Sequence, residues 1–218
     1  MLKRTIEKTV STPAYARITA RWALRVAAAT PSGSYYPLIT AKVFTAFMFE
    51  GAIDYLGGTL CPNWNASSSV PSRAPARQPL DDRHKAVRRL LDLDNGTKEY
   101  ADIRALTGRI FRFRDSFAHP KVLEKTIQDS VSNELAAAPD IAWEAEVDAT
   151  LIQSDFDTIE AYSVGLLDTA ADCLESVLER GWDEWQQKYP HLTDLHLEAA
   201  YLRGILHSPS HSSADYNP

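Results

Sequence analysis

The segment from Tyr36 to Leu56 constrains the fold of this 218-residue chain more than any other part of it. If the segment is helical, apolar side chains cover most of its circumference; they are Val43, Phe44, Phe47, Met48, Ile53, Tyr55 and Leu56. A surface helix carries one apolar stripe, whereas a helix that is apolar on several sides is stable only when neighbours cover it. The pattern therefore predicts a helix that is buried on more than one side.

Apolar residues at three- and four-residue spacing predict the helices around this segment. They cover residues 12–30, about 81–92, 98–118, 155–187 and 192–206, with a long loop over 57–80 and an irregular stretch after 120. We therefore expect an all-α fold, a four- to five-helix up-and-down bundle with N- and C-terminal helical additions. A single domain should span 1–207, including a helical extension over about 1–32, and the tail 208–218 should be disordered.

Two of the predicted helices carry rows of basic residues opposite their apolar stripes. The residues expected to face inward are Ile18, Trp22, Val26, Val87, Leu90 and Leu91. The residues expected to face outward are Arg17, Arg21, Arg25, Arg83, Lys85, Arg88 and Arg89, with His84 at a solvated helix start. Such rows either are solvated or contact phosphates of a nucleic acid.

Two carboxylates, Glu50 and Asp54, lie one turn apart on one face of the apolar helix. An apolar helix does not bury two carboxylates without partners, because removing each ion from water is costly. We therefore expect Glu50 and Asp54 either to line a polar cleft or to reach solvent.

The helix predicted over 98–118 should pack directly on the apolar helix. Ile110, Phe113 and Phe117 recur at helical spacing and form one stripe. We expect this stripe to contact Phe44 and Phe47 or their neighbours. The two helices should then be the two most buried in the protein.

Polar groups converge at the C-terminal end of the same helix. Arg114 is followed by Asp115, and His119 lies four residues after Asp115, just before Pro120. A residue that precedes proline is disfavoured in the α conformation, so the helix should end at or before His119. The free carbonyl groups of a helix C-terminus favour a protonated imidazole.

This pattern resembles the Arg-x4-His signature of the HEPN superfamily, in which a polar residue commonly follows the arginine, a small apolar residue precedes the histidine, and proline or glycine follows it. Many HEPN proteins have an acidic or amide residue on an early helix that faces the Arg–His pair, and the segment around Glu50 is similar to that helix. The resemblance covers about residues 36–120. The chain departs from the commonest HEPN pattern at Asp115, where asparagine is more usual.

The resemblance implies a helical bundle, and a homodimer in which the Arg–His pairs of two subunits meet. Active HEPN proteins are metal-independent ribonucleases, often toxins or defence effectors, and others are inactive or act as partners of nucleotidyltransferase-like antitoxins. The implied site residues are Arg114 and His119, with Asp115 orienting one of them and Glu50 as a supporting partner. No cofactor and no metal are expected.

The residue types suit this chemistry without reference to a family. Cleavage of RNA by its own 2′-hydroxyl needs a base, an acid and a cation that binds phosphate. A histidine and an arginine supply these groups. The same residues also fit a structural role, in which Arg114 and Asp115 form a surface ion pair and His119 caps the helix. The competing function is a non-catalytic helical protein that binds an antitoxin, a regulatory scaffold or a basic partner.

The net charge of −6 is unevenly distributed along the chain. Residues 73–125 contain thirteen basic and eight acidic side chains, whereas residues 126–200 contain two basic and seventeen acidic ones. A basic region around the motif suits RNA, unless the acidic helices fold back and neutralise it. We expect a cytoplasmic protein that does not enter a membrane, since no apolar run is long enough to cross one and Cys61 and Cys173 are far apart.

Overall fold

The computed structural model describes residues 12–30, 33–64, 76, 78–118 and 147–207. Seven helices account for most of these residues: α1 (Thr12–Ala29), α2 (Tyr35–Leu60), α3 (Leu80–Leu90), α4 (Lys98–Ala118), α5 (Ala149–Arg180), α6 (Trp182–Lys188) and α7 (Leu195–His207). The predicted all-α fold is confirmed. The expected irregular stretch after residue 120 and the expected disordered tail lie outside the described residues.

Helix α2 occupies the centre of the bundle and packs against α1, α3, α4 and α5. Its buried residues lie on several sides, as the sequence predicts, and Met48, Ile53 and Leu56 are completely inaccessible to solvent. None of the helices in the described ranges combines the length and the apolar composition needed to span a bilayer.

Helix α2 extends to Leu60, four residues beyond its predicted end, so the loop predicted to begin at residue 57 begins later. Gly57 does not end the helix. It makes room for the indole of Trp64, because a β-carbon at residue 57 would lie 2.1 Å from the Trp64 ring. Trp64 is 1% exposed and anchors the connection that follows α2.

Helix α1 packs on α2 mainly through alanines. The prediction that the larger apolar residues of α1 face inward is therefore wrong. Its buried residues are Pro13, Ala16, Ala20, Ala23, Leu24 and Ala27. Ile18 and Trp22, which are predicted to face inward, are 54% and 62% exposed. Small side chains at a helix interface let the two axes approach closely. Both sets of residues have helical spacing, so periodicity alone does not distinguish the two faces.

Helix α5 is more extensively buried than α4, so the prediction that α4 is one of the two most buried helices is wrong. Ile110 and Phe113 of α4 are buried as predicted, and the ammonium of Lys42 on α2 lies 4.2 Å from the centre of the Phe113 ring. Phe117 and Phe47 are instead 44% and 39% exposed. The predicted apolar stripe therefore leaves the core before the end of α4.

The helix predicted over residues 155–187 is divided into α5 and α6 at Gly181. Gly181 has a φ of 106°, a conformation that side chains with a β-carbon rarely adopt, and this ends α5. Helix α5 begins six residues earlier than predicted, at Ala149, because the carboxylate of Asp148 accepts a hydrogen bond from the backbone N–H of Leu151.

Helix α3 buries charged residues that were predicted to face outward. Arg83 and Arg88 are 8% and 3% exposed, and His84 is 1% exposed, whereas the predicted core residue Leu90 is 38% exposed. The reason is that α3 faces the carboxylates of α2 and the hydroxyl of Tyr162 on α5, which provide polar partners inside the bundle.

Candidate functional site

Three of the four predicted site residues meet between α2 and α4. Arg114 Nη1 donates a hydrogen bond to Glu50 Oε2 over 2.7 Å. Arg114 Nε and Nη2 donate to Asp115 Oδ1 over 3.0 and 2.9 Å. The spacing of these residues along two helices thus places one guanidinium between two carboxylates.

Arg83 of α3 completes the group and binds both carboxylates of α2. Its Nη2 donates to Glu50 Oε1 over 2.5 Å, and its Nη1 donates to Asp54 Oδ2 over 2.5 Å. Burial alone would lower the pKa of Arg83, but the hydrogen bonds and charges of Asp54 and Glu50 raise it. Asp54 and Glu50 therefore both have a cationic partner and partial access to solvent, at 40% and 28% side-chain exposure.

Glu50, Arg83, Arg114 and Asp115 line a cleft of about 500 Å³ between α2, α3 and α4. Its charged lining residues are Glu50, Asp81, Arg83, Arg104, Arg112, Arg114 and Asp115. Four arginines and three carboxylates therefore face one space, so the cleft is strongly polar and has a slight excess of positive charge. Glu50 therefore lines a polar cleft, one of the two alternatives expected from the sequence, and Asp54 reaches solvent with a side chain that is 40% exposed.

Arg114 is held firmly in place at the cleft wall. Its guanidinium carbon lies 4.4 Å from the ring centre of Phe111 and 5.7 Å from that of Phe47, so aromatic rings contact it as well as carboxylates. Its side chain is 20% exposed. The hydrogen bonds to Glu50 and Asp115 use three of its five N–H groups, counting only acceptors within the described residues.

The other two arginines of the cleft differ in their partners. Arg104 Nε forms an ion pair with Asp81 Oδ1 over 2.8 Å. Burial alone would raise the pKa of Asp81, but hydrogen bonds from Lys85 and Arg104 lower it. Arg112 is exposed and forms no ion pair with any carboxylate of the described residues.

A buried hydrogen-bonded network lies at the base of the cleft. The Tyr162 hydroxyl is 2.7 Å from His84 Nε2 and accepts a hydrogen bond from Arg88 Nη1 over 2.8 Å. Arg88 can only donate, so the Tyr162 hydroxyl keeps its own proton free to donate to His84 Nε2, and the tautomer of His84 sets the direction of that hydrogen bond. Burial, with a smaller contribution from Arg88, lowers the pKa of His84 to about 4.

His119, the fourth predicted site residue, lies outside the described residues. It is the next residue after Ala118, with which α4 ends.

Sequence reasoning missed Arg83 and Arg112 as cleft residues. Two carboxylates on an apolar helix require a cation, and the basic segment 81–92 was the nearest source, but helical spacing does not say which of its residues supplies that cation. Arg104, Gly108 and Arg112 recur every four residues and so share one face of α4. That spacing could have revealed the second arginine.

Several polar side chains outside the cleft have structural partners. Arg17 and Arg21, predicted to be solvated, both bind Glu160 of α5, so this part of the basic row joins α1 to the acidic helix. His191 Nε2 is 2.9 Å from the carbonyl oxygen of Thr59, and Glu198 accepts a hydrogen bond from the Tyr55 hydroxyl over 2.6 Å. The described residues contain no group of three or more His, Cys, Asp or Glu side chains arranged to bind a metal ion.

We compared the chain with models of protein families, with curated proteins and with solved structures, and none of the three comparisons gave a match.

Proposed function

We propose that the protein is a HEPN-like endoribonuclease that cleaves RNA without a metal ion, through attack of the 2′-hydroxyl on the adjacent phosphate. The observation that carries the proposal is the meeting of Arg114, Asp115 and Glu50 at the end of a cleft lined by four arginines. His119 follows directly on the helix that positions Arg114. Many active HEPN proteins are toxins or defence effectors, and we propose a role of the same kind for this protein.

The proposed reaction assigns one task to each group. A neutral imidazole of His119 takes the proton from the 2′-hydroxyl, whose oxygen then bonds to phosphorus. The bond from phosphorus to the 5′-oxygen breaks, and an imidazolium gives that oxygen a proton. The products are a 2′,3′-cyclic phosphate and a 5′-hydroxyl. Arg114 binds the phosphate oxygens, on which charge accumulates.

Glu50 and Asp115 fix the plane of the Arg114 guanidinium before RNA arrives. A side chain held by two carboxylates and two aromatic rings loses little conformational freedom when it binds phosphate. The carboxylates also oppose phosphate binding, because their negative charges reduce the field of Arg114. Binding of phosphate therefore requires the two remaining N–H groups of Arg114 or displacement of Asp115, which is 61% exposed.

The same contacts favour a second candidate, a non-catalytic helical protein that binds an antitoxin or a regulatory partner. In that case Glu50, Arg83, Asp54 and Arg114 form an ion-pair network that joins α2, α3 and α4 and has no chemical role. The two candidates differ in one measurable respect, since only the first requires RNA cleavage that depends on His119.

We also propose that two copies associate with the Arg114 ends of their α4 helices near a twofold axis. Phe47 and Phe117 support this arrangement: both are exposed aromatic residues, Phe47 contacts Arg114, and Phe117 lies three residues after it. A twofold contact would bring two His119 residues to one site, so that one acts as base while the other acts as acid.

Incubation of the purified protein with total RNA and single-stranded RNA in EDTA tests the proposal. The wild type should produce fragments with 5′-hydroxyl ends, and His119→Ala should produce none. Cleavage that stops in EDTA would contradict the metal-independent mechanism. Absence of cleavage by the wild type would favour the non-catalytic candidate.

A further inference from the structure

Arg112 and Gly108 form a surface on α4 that leads into the site. Together with Arg104 they recur every four residues, and all three line the cleft. The other three arginines of the cleft are bound by carboxylates: Arg83 by Glu50 and Asp54, Arg104 by Asp81, and Arg114 by Glu50 and Asp115. Arg112 alone among them has no carboxylate partner within the described residues.

Gly108 has no packing reason to lack a side chain. Among the described residues, a β-carbon here would meet only Arg112 Nη1, at 3.5 Å, which is an ordinary contact with a flexible side chain. Gly51 and Gly57 of α2 differ, because a β-carbon there would meet Pro13 at 3.1 Å or Trp64 at 2.1 Å. A glycine inside a helix is unfavourable relative to alanine. Gly108 therefore keeps the α4 wall of the cleft open at a place where packing would tolerate a side chain.

We propose that Arg112 captures the phosphate backbone of single-stranded RNA in the cleft, and that Gly108 leaves the space in which the strand lies. The proposal rests on the proposed function for the identity of the ligand. Arg112 is a binding residue that lies two residues before Arg114. Its guanidinium, unlike that of Arg114, donates no hydrogen bond to a carboxylate of the described residues.

Charge and position together favour the RNA backbone over an apolar ligand. The side chain of Arg112 is exposed, so it can contact the phosphates of an RNA strand that enters the cleft. Bidentate hydrogen bonds from a guanidinium match the geometry of a phosphate. The carboxylates that line the cleft repel further phosphates, so the strand should pass Arg112 and place one phosphate at Arg114.

The test measures binding of a labelled 2′-O-methyl RNA oligonucleotide, which lacks the attacking hydroxyl and stays intact, by fluorescence anisotropy over a range of salt concentrations. Arg112→Gln should weaken binding about tenfold, as expected for loss of a hydrogen bond to a charged group. It should also reduce the slope of log K against log salt by about 0.7, the contribution of one phosphate contact on a single strand. Arg112→Lys should retain most of that slope.

Three further variants separate binding from folding. Gly108→Gln should weaken binding by filling the cleft, Gly108→Ala should weaken it less, and both should melt at or above the wild-type Tm. Arg89→Gln removes an exposed arginine of α3 that does not line the cleft, and it should leave the salt slope unchanged.

The outcomes distinguish this proposal from the catalytic one. If RNA binds but Arg112→Gln matches Arg89→Gln, the proposed role of Arg112 is wrong, whether or not the wild type cleaves unmodified RNA. If Arg112→Gln weakens binding and the wild type cleaves nothing, the proposed RNA-binding role of Arg112 is supported and the catalytic proposal is wrong. If the wild type does not bind the oligonucleotide, the proposal that the cleft binds RNA is wrong.

Discussion

His84 is a histidine whose surroundings require it to be neutral. Phe49, Tyr100 and Tyr162 surround its ring, and Arg88 lies near it and shares the Tyr162 hydroxyl as a hydrogen-bonding partner. Protonation would place a donor against a hydroxyl that already accepts from Arg88, and it would add a second positive charge in a place shielded from water. The folded state therefore resists a proton that the unfolded chain accepts readily.

We predict that the free energy of unfolding falls as pH is lowered from about 6.5 to about 4. The pKa of His84 is lowered from 6.5 to about 4 in the folded state. Between these two pH values the unfolded state binds a proton that the folded state does not bind, and this binding stabilises the unfolded state relative to the folded one. The loss should reach about 3 kcal/mol. Urea denaturation at several pH values measures it, and His84→Gln should remove this part of the dependence. Parallel pH profiles for the two proteins would show that His84 is not the cause.

Phe113 and Phe117 are separated by one turn of α4 but differ in their contribution to the core. Phe113 is 2% exposed and contacts Lys42, whereas Phe117 is 44% exposed. We predict that Phe113→Ala lowers the free energy of unfolding by about 3–5 kcal/mol. Phe117→Ala should lower it by about 1 kcal/mol or less. A denaturation midpoint of Phe113→Ala close to that of the wild type would contradict the assigned packing.

The residues of the candidate site were only partly predictable from sequence. Glu50 and Arg114 could be identified, because a carboxylate on an apolar helix needs a cation and Arg114 belongs to a recognisable spacing. Arg83 and His84 could not be placed, because α3 has basic residues on nearly every side and helical spacing does not say which of them meet a carboxylate. Their burial depends on Glu50, Asp54 and Tyr162, which belong to other helices.

At the scale of the helices, the periodic segments were predicted well and their ends less so. Helix α4 has the predicted bounds, Lys98–Ala118. The division at Gly181 was missed because apolar residues continue through it, and a single glycine can either continue or end a helix. The extension of α2 through Gly57 was missed because two adjacent glycines usually mark a turn, and the contact with Trp64 that explains Gly57 is tertiary.

Gly57 and Gly165 provide a matched pair of helical glycines. A β-carbon at residue 57 would overlap the Trp64 indole, whereas a β-carbon at residue 165 on α5 would meet no atom of the described part of the chain within 4 Å. We predict that Gly57→Ala destabilises the protein by about 1–3 kcal/mol, as overpacking of a core does. Gly165→Ala should stabilise it by about 0.5–1 kcal/mol through helix propensity. Equal effects of the two substitutions in denaturation experiments would argue against the packing of Trp64 on α2.

At the scale of the whole molecule, the acidic C-terminal part of the sequence does not simply neutralise the basic site. Glu160 binds two arginines of α1, and Asp155 binds Arg109 of α4 over 2.5 Å. Asp172 and Glu175 both bind Arg203 of α7. These acids join helices within the bundle, and none of them lines the cleft, where arginines outnumber carboxylates.

Two exposed apolar surfaces could support association of two copies. One consists of Tyr15, Ile18 and Trp22 on α1, and the other contains Phe47 and Phe117 beside Arg114. We predict a dimer that forms through the second surface. Light scattering at tens of micromolar should show a dimer for the wild type and for Trp22→Ser, and a monomer for Phe117→Ser. Dissociation by Trp22→Ser alone would move the interface to α1 and remove the composite site.

The initial rate of cleavage of single-stranded RNA in EDTA is the decisive measurement for the proposed roles of Arg114 and His119. The wild type should cleave, and His119→Ala should be slower by about 10²–10⁴-fold, which is typical for loss of a proton-transfer group. Arg114→Lys should also be nearly inactive, because an ammonium does not reproduce the guanidinium fork, and both variants should retain a Tm close to that of the wild type. An inactive wild type, or variants that cleave as fast as it does, would contradict the account.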